Sequence, residues 1–237
     1  MRQLAPFRLR AHEVSRVEAF SDVVFGFALT LIVVSLEVPR TYEELSREMR
    51  GFIGFAICFA MLTWVWYEHH RFFRRYAMQD GITIFLNTVL LFLVLFYIYP
   101  LKFMFELVTR RISSTGANAR ELFLIYGLGF AGIFAVFVLM YAHAYYRRGA
   151  LGLNDVEVYD TKTLLIMYSA YAGVGFLSIA IAQLIPLRQM RFAGWTYALL
   201  GPVSGFIGYW RGSRRVRVAE AMLARTAESA TPPVPAT

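Results

Sequence analysis

The stretch SRVEAFSDVVFGFALTLIVVSLEVP, residues 15–39, combines a charged start with a long apolar run. Its first eight residues carry three charges, whereas residues 23–36 carry none. Ser15 and Glu18 have the spacing of a capping box, in which each side chain satisfies a free backbone N–H of the other, so a helix is predicted from about Arg16. At about 1.5 Å per residue, the stretch is long enough to cross the roughly 30 Å hydrocarbon core of a bilayer. We therefore predict a membrane-spanning helix over 16–39.

The composition of the whole chain agrees with a membrane location. Of its 237 residues, 58% are hydrophobic and 16% are aromatic, which is more apolar than a soluble domain of this size. The net charge of +8 comes from short basic clusters between apolar runs, a pattern that orients membrane helices and does not indicate nucleic-acid binding. Cys58 is the single cysteine, so no disulfide framework is expected.

Five further apolar runs follow the first one. The six predicted spans cover about 16–39, 51–70, 81–107, 121–147, 162–187 and 191–210. Residues 1–15 form a short N-terminal segment, and 211–237 form a tail that is first basic and then rich in Pro and Ala, which predicts disorder at its end. Fifteen of the 24 Lys and Arg residues fall on the side of the termini, so both termini are expected in the cytoplasm of a multi-pass protein of the cell membrane.

Polar residues are predicted to meet at one depth of this bundle, because span one starts, span two ends and span three starts at the cytoplasmic face. Asp22 lies about 10 Å inside the first helix, where an unpaired carboxylate is costly. Partners for it are available within about two turns of the same face. The residues of this polar layer are Arg16, Ser21, Asp22, Trp66, Glu68, His69, His70 and Asn87. For Glu68 and His69, a role as ordinary headgroup-level anchors is an equal alternative.

The first span also carries a stripe at helical spacing, formed by Val23, Phe27, Thr30, Val34 and Glu37. In a monomer such a stripe is most simply a packing face. Copies of it can also converge on an axis and line a pore whose bulky residues form a hydrophobic constriction. Glu37 then lies at the outer mouth and attracts cations. The residues alone leave both interpretations open.

Three local motifs resemble one known family. They are Arg16-x-x-x-Phe20-Ser21-Asp22 with Leu36-Glu37-Val38-Pro39 in span one, Trp66-x-x-His69-His70-Arg71-x-Phe73 in span two, and Asn87 with Pro100 in span three. Together they are similar to the potassium channels related to the lysosomal transmembrane protein 175, in their prokaryotic branch. The motifs cover the chain through about residue 101. Beyond that point only the six-span layout, the length and the basic tail agree.

The resemblance implies an all-α polytopic membrane protein that forms a homotetramer of six-helix subunits around a central pore lined by the first helix. It implies passive conduction of potassium or other monovalent cations without a cofactor, and an intrasubunit network of Arg16, Ser21, Asp22, Trp66, His70 and Asn87. It also implies a narrowest ring five residues after Asp22 and a Thr ring one turn outward. Those positions are Phe27, where the family usually has Ile or Leu, and Thr30.

Two other functions are compatible with the layout. A proton-coupled six-helix carrier would exchange protons through Asp22 and His70. A membrane redox protein would hold haem between His70 and His143. The chain carries neither the Arg-rich sensor helix nor the TVGYG loop of voltage-gated potassium channels. It also carries no nucleophile elbow, P-loop or dinucleotide signature, so we do not expect an enzyme.

Overall fold

The computed structural model describes residues 7–11, 13–34, 41–110, 116–186 and 191–230, and over these residues the fold is helical without a strand. The helices are α1 (Arg16–Val34), α2 (Tyr42–Tyr76), α3 (Gly81–Arg110), α4 (Gly116–Tyr146), α5 (Asp155–Leu184), α6 (Arg191–Trp195) and α7 (Leu200–Ala230). A 3-10 turn, Thr196–Leu199, joins α6 to α7. The all-α prediction is therefore confirmed.

Three stretches of the described helices are long and apolar enough to cross a membrane: Gly81–Pro100, Arg120–Tyr146 and Asp155–Leu184. They coincide with the third, fourth and fifth predicted spans. Helix α1 carries three charged residues in its first two turns, and α2 begins in the mixed-charge segment before residue 51. The total of six spans remains a prediction.

The end of the chain differs from its predicted layout. The sixth span was predicted as one segment, 191–210, but the structure breaks it into α6, the 3-10 turn and α7. Helix α7 then continues through the basic part of the predicted tail to Ala230. Arg, Ala, Leu and Glu in this region favour a helix. Two arginines also bind α5, since Nε of Arg215 lies 2.7 Å from Oδ1 of Asp160 and Nε of Arg211 donates to Oγ1 of Thr163 at 2.6 Å.

An aromatic core joins α2 to α4 and α5. The ring of Tyr141 on α4 lies 5.2 Å from Phe72 and 5.7 Å from Tyr76, both on α2. On its other side it lies 5.1 Å from Tyr168 on α5. These four side chains are almost fully buried. The core thus holds the later helices against α2, while α2 and α3 hold α1.

The segment before α1 is held by a buried carboxylate on α5. Nη2 of Arg10 lies 2.7 Å from Oε2 of Glu157, and the backbone N–H of Arg8 donates to Oε1 of the same side chain at 3.0 Å. Glu157 also forms a capping box with Asn154 at the start of α5. These bonds tie the segment that leads into α1 to the turn between α4 and α5.

Helices α4 and α5 approach closely at Gly175 of α5. A Cβ atom placed on Gly175 would lie 3.0 Å from Cβ of Ala131 and 3.1 Å from its backbone nitrogen. A Cβ atom on Gly173, two residues earlier on the same helix, would meet nothing within 4 Å. Gly175 is therefore required by the packing of two backbones, whereas Gly173 is not.

We expect Gly175→Leu to destabilise the subunit by about 1–3 kcal/mol, because a larger side chain forces the two backbones apart. Gly173→Leu is the matched control, and it should leave stability unchanged or raise it slightly, since Leu favours a helix by up to about 1 kcal/mol over Gly. Thermal unfolding of both variants in detergent measures the difference. Equal midpoints would contradict the close approach of α4 and α5.

Candidate functional site

Helix α1 has one buried face. The residues of this face follow one another at intervals of three and four, as one side of a helix requires, and pack against α2 and α3. They are Glu18, Ser21, Phe25, Ala28 and Ile32, each at most 4% exposed. The face is polar over its first turn and apolar beyond it, so its polar end needs partners from the neighbouring helices.

Asn87 on α3 supplies one set of partners. Its Nδ2 donates to Oγ of Ser21 at 2.9 Å, and its Oδ1 lies 2.8 Å from Nε2 of His69 on α2. Since a carbonyl oxygen only accepts, Nε2 of His69 carries the proton. The Ser21 hydroxyl in turn donates to the backbone carbonyl oxygen of Val17 at 2.7 Å. Ser21, His69 and Asn87 are all at most 2% exposed, so one buried amide links α1, α2 and α3.

A second pair of contacts joins α1 to α2 next to this link. The indole N–H of Trp66 donates to Oδ1 of Asp22 at 2.8 Å. Nδ1 of His70 lies 3.3 Å from Oε1 of Glu18. The rings of Trp66 and His70 are stacked, with their centroids 5.7 Å apart. The two carboxylates at the start of α1 therefore each face a ring nitrogen on the last three turns of α2.

Five of the six predicted network residues take part in these contacts. They form separate pairs and not one continuous cluster. Asp22 meets Trp66, Ser21 meets Asn87, and His70 meets Glu18. Arg16 is exposed, and no hydrogen bond among the described residues joins it to the others.

Sequence reasoning gave no specific role to the residues that complete the network. The sequence predicts only a capping-box role for Glu18. The structure contains one bond of that box, from the backbone N–H of Glu18 to Oγ of Ser15 at 3.1 Å. Glu68 and His69 had headgroup-level anchoring as an equal alternative, yet they are 5% and 0% exposed. Glu68 binds Arg71 at 2.9 Å and accepts from the Tyr168 hydroxyl at 2.5 Å. The sequence does carry a signal for the ion pair between Glu68 and Arg71, because the two residues are three positions apart on one helix and carry opposite charges.

The opposite face of α1 is largely left uncovered by the part of the subunit that the structure describes. The side chains of Val23 and Phe27 are 66% and 64% exposed, and Thr30 is exposed as well. The Thr30 hydroxyl donates to the backbone carbonyl oxygen of Phe27 at 2.8 Å. Val34 is the last residue of α1, and Glu37 lies outside the described residues. An apolar face of this size on the outside of one subunit indicates a contact with lipid or with another chain.

A crevice of about 410 Å³ runs along the edge of this face, between α1 and α2. One wall consists of residues of α1 that follow at intervals of four and three, and the other wall consists of residues of α2 with the same spacing. The walls are Asp22, Gly26 and Leu29 on α1, and Phe59, Thr63 and Trp66 on α2, with Phe25 at the base. A Cβ atom on Gly26 would meet nothing within 4 Å, so the crevice is open at its centre.

The described residues offer no group of three His, Cys, Asp or Glu side chains that could hold a metal ion. The two histidines considered for haem belong to separate contacts. His70 faces Glu18, whereas Nε2 of His143 lies 2.9 Å from Oδ2 of Asp80 at the turn between α2 and α3. The polar groups near α1 bind one another and hold helices together.

Comparison with known sequences identifies similar proteins. The family described as "Endosomal/lysosomal potassium channel TMEM175" matches residues 16–97. A potassium channel of Marivirga tractuosa is 40% identical over 215 residues, which cover 83% of this chain and 87% of that protein. A potassium channel of Chamaesiphon minutus is 31% identical over 140 residues, which cover 56% of this chain and 66% of that protein.

Comparison with solved structures gives the same fold. A crystal structure of a variant of the potassium channel MtTMEM175, in complex with a nanobody–MBP fusion protein, matches with a TM-score of 0.78 and 37% identity over 89% of this chain and 99% of that chain. A lysosomal potassium-selective channel TMEM175 homolog from Chamaesiphon minutus matches with a TM-score of 0.61 and 24% identity over 83% of this chain and 99% of that chain. At that identity the second match supports the fold alone.

We expect Asn87→Ala to destabilise the subunit by about 1–3 kcal/mol, because Ser21 and His69 then lose a buried partner. The matched control is Thr88→Ala on the same helix. Thr88 is exposed and donates only to the carbonyl oxygen of Ile84 one turn back, so its loss should cost no more than about 0.5 kcal/mol. Thermal unfolding in detergent compares the two. A control as unstable as Asn87→Ala would argue against a special role for this amide.

Proposed function

This chain belongs to the TMEM175 family of potassium channels, and from that premise we propose that four copies of it surround one potassium pathway with the outward face of α1. The observation that carries the proposal is the exposure of Val23, Phe27 and Thr30 on a helix whose other face is buried. Because the described part of the subunit leaves this face of α1 exposed, the face is available for contact with lipid or with another chain. Copies of the same helix around an axis would cover it and enclose a path.

Phe27 would form the narrowest ring of this path. Side chains of this size around an axis make a hydrophobic constriction, which stops ions because water leaves it. Phenyl faces also attract cations, so the ring can both narrow the path and favour positive ions. Thr30 would form the next ring outward and Val23 the ring before it, with Val34 and Glu37 toward the outer mouth.

The polar contacts of α1 would hold the lining face in its orientation. The Ser21–Asn87–His69 link and the Asp22–Trp66 bond attach the helix on the side away from Phe27. A rotation of α1 that moved Phe27 by one residue position would break both. This role needs no proton exchange, and it is why the carrier with Asp22 and His70 as its proton pair is not proposed: the two side chains bind different partners.

The remaining parts of the proposal concern the membrane. The channel domain would occupy about 16–210 as six spans in the cell membrane, with residues 1–15 and 211–237 in the cytoplasm. The excess of Lys and Arg on the side of the termini supports this orientation. The partners would be other copies of the chain, the lipid bilayer and the permeating monovalent cations.

We expect the purified protein to be a tetramer in mild detergent. Native mass spectrometry or light scattering gives the number of copies directly, because one chain has a mass of 27.1 kDa. A stable monomer cannot enclose a path with a single α1, so a monomer that still conducts in liposomes would overturn the proposed arrangement.

We expect Phe27→Ala to raise potassium flux into liposomes by at least about tenfold, which requires lowering the barrier by only about 1.4 kcal/mol. The reason is that a methyl group in place of a phenyl ring widens and wets the constriction. The readout is potassium uptake per tetramer at matched reconstitution.

Phe92→Ala is the control for this experiment. Phe92 on α3 is 66% exposed, as much as Phe27, but it belongs to a different helix and stacks only with Phe96 among the ring contacts described. Its truncation should leave flux unchanged. Flux that rises equally in both variants would show general leakiness, and flux that stays at the wild-type level in Phe27→Ala would remove Phe27 from the constriction.

A further inference from the structure

We infer that the crevice between α1 and α2 receives the side of α1 that carries Phe20 and Phe27 from the next copy of this chain. The inference rests on the proposed function in one respect, that copies of α1 stand parallel around an axis. It adds which two surfaces of the subunit meet, and it gives Gly26 a role in placing Phe27.

The first argument is the geometry of a helix in a ring of four. Successive residues of an α-helix are separated by about 100° around its axis. In a ring of four parallel helices, each helix meets its two neighbours in directions about 90° apart. When two consecutive residues lie on either side of the direction to the axis, one of them therefore faces one neighbouring copy and the other faces the second neighbouring copy. Residue i+1 of one copy then lies beside residue i of the next copy, at nearly the same height.

The second argument is that α1 carries small and large residues in this arrangement. Three consecutive pairs on its outward side each consist of a smaller residue followed by a larger one. They are Ala19–Phe20, Gly26–Phe27 and Thr30–Leu31, and the level between the first two pairs holds Val23 and Val24. Within a turning helix, the three smaller residues share one flank and the three larger ones share the other.

The exposure of these residues supports the same division. On the large flank Phe20 is 62% and Phe27 64% exposed, so neither phenyl ring is covered by its own subunit. On the small flank Ala19, Gly26 and Thr30 are all exposed, and Gly26 borders the crevice. One flank thus projects and the other is recessed. A head-to-tail contact between copies needs two different, complementary surfaces of this kind, and its repetition closes a ring.

The crevice can accommodate the projecting flank of the next copy. Phe27 of the next copy lies level with Gly26, where the wall of the crevice has no side chain and a Cβ atom would meet nothing within 4 Å. The rest of the lining near that level is largely apolar and aromatic, with Phe25, Leu29 and Phe59, and the Thr63 hydroxyl on the facing wall donates to the carbonyl oxygen of Phe59 on its own helix. A phenyl ring resting there buries apolar surface on both copies. The same ring still borders the pathway, because it points between the axis and the neighbour.

The contact between flanks is tested by disulfide formation between engineered cysteines. In a Cys58→Ala background, the double variant Ala19→Cys with Phe20→Cys should give oxidised dimers, trimers and tetramers in a denaturing gel, and nothing larger. Each single variant should stay monomeric, since a lone cysteine meets no copy of itself in a head-to-tail ring. Dimers from Phe20→Cys alone would show that two identical flanks meet and would overturn the inference. A double variant that stays monomeric under oxidation would overturn it too.

The role of the crevice is tested by filling it. Gly26→Leu should abolish the tetramer in detergent, because the new side chain occupies the place of the neighbour's phenyl ring, while Leu favours the helix and preserves the subunit. Thr63→Leu fills the crevice from the α2 wall and should weaken the tetramer in the same direction without altering α1. Gly173→Leu is the control, since Gly173 is equally open but lies on α5. Circular dichroism confirms that each variant is folded.

The outcomes separate the inference from the proposed function. A tetramer that tolerates Gly26→Leu and Thr63→Leu would show that lipid or nothing occupies the crevice, and the inference would fail even if Phe27→Ala still raised flux. A disulfide ladder that stops at the tetramer, together with unchanged flux in Phe27→Ala, would support the contact between copies and reject Phe27 as the constriction.

Discussion

The structure depends on the way α1 is held against α2 and α3 along one face. A buried amide, Asn87, bonds to Ser21 on α1 and to His69 on α2, and the apolar residues Phe25, Ala28 and Ile32 continue the same face. Hydrogen bonds fix the rotation of the helix more sharply than apolar packing does, because a turn by one residue leaves buried polar groups without partners. The exposed face of α1 is a consequence of this attachment.

The cost of polar groups in a membrane explains why they are arranged in pairs. A carboxylate or amide in hydrocarbon is unfavourable unless it is bonded. Each carboxylate of the described network has a partner, whereas the buried Nδ1 of His69 has no hydrogen-bond partner among the described residues. Asp22 has Trp66, Glu18 has His70, and Glu68 has both Arg71 and Tyr168. The contact with Tyr168 extends the network to α5. The network therefore holds the first three helices together and attaches them to the rest of the subunit.

The sequence predicted which helices carry the site but not which neighbour each residue takes. The depth of Asp22 and Asn87 followed from counting residues along apolar runs. Counting residues could not predict whether His69 or His70 contacts Asn87. Consecutive residues lie about 100° apart, so the choice depends on the rotation of α2 about its axis, which the packing of the helices determines. The continuation of α7 to Ala230 was also not predicted, since a charged stretch becomes an ordered helix here by pairing Arg211 and Arg215 with α5.

In the proposed tetramer, the aromatic side chain of Phe27 restricts how the ion pathway can be built. Four phenyl rings are bulkier than four aliphatic side chains, and rings directed at one axis must either overlap or lean toward a neighbour. Gly26, which precedes Phe27 in the sequence, is the one residue type that leaves a full side-chain volume free on the adjacent flank. The width of the pathway would then be determined by the packing between copies as much as by the residue that lines it. The larger residue at the proposed constriction and the glycine beside it would then act together, because the glycine leaves the space that the phenyl ring of the next copy needs.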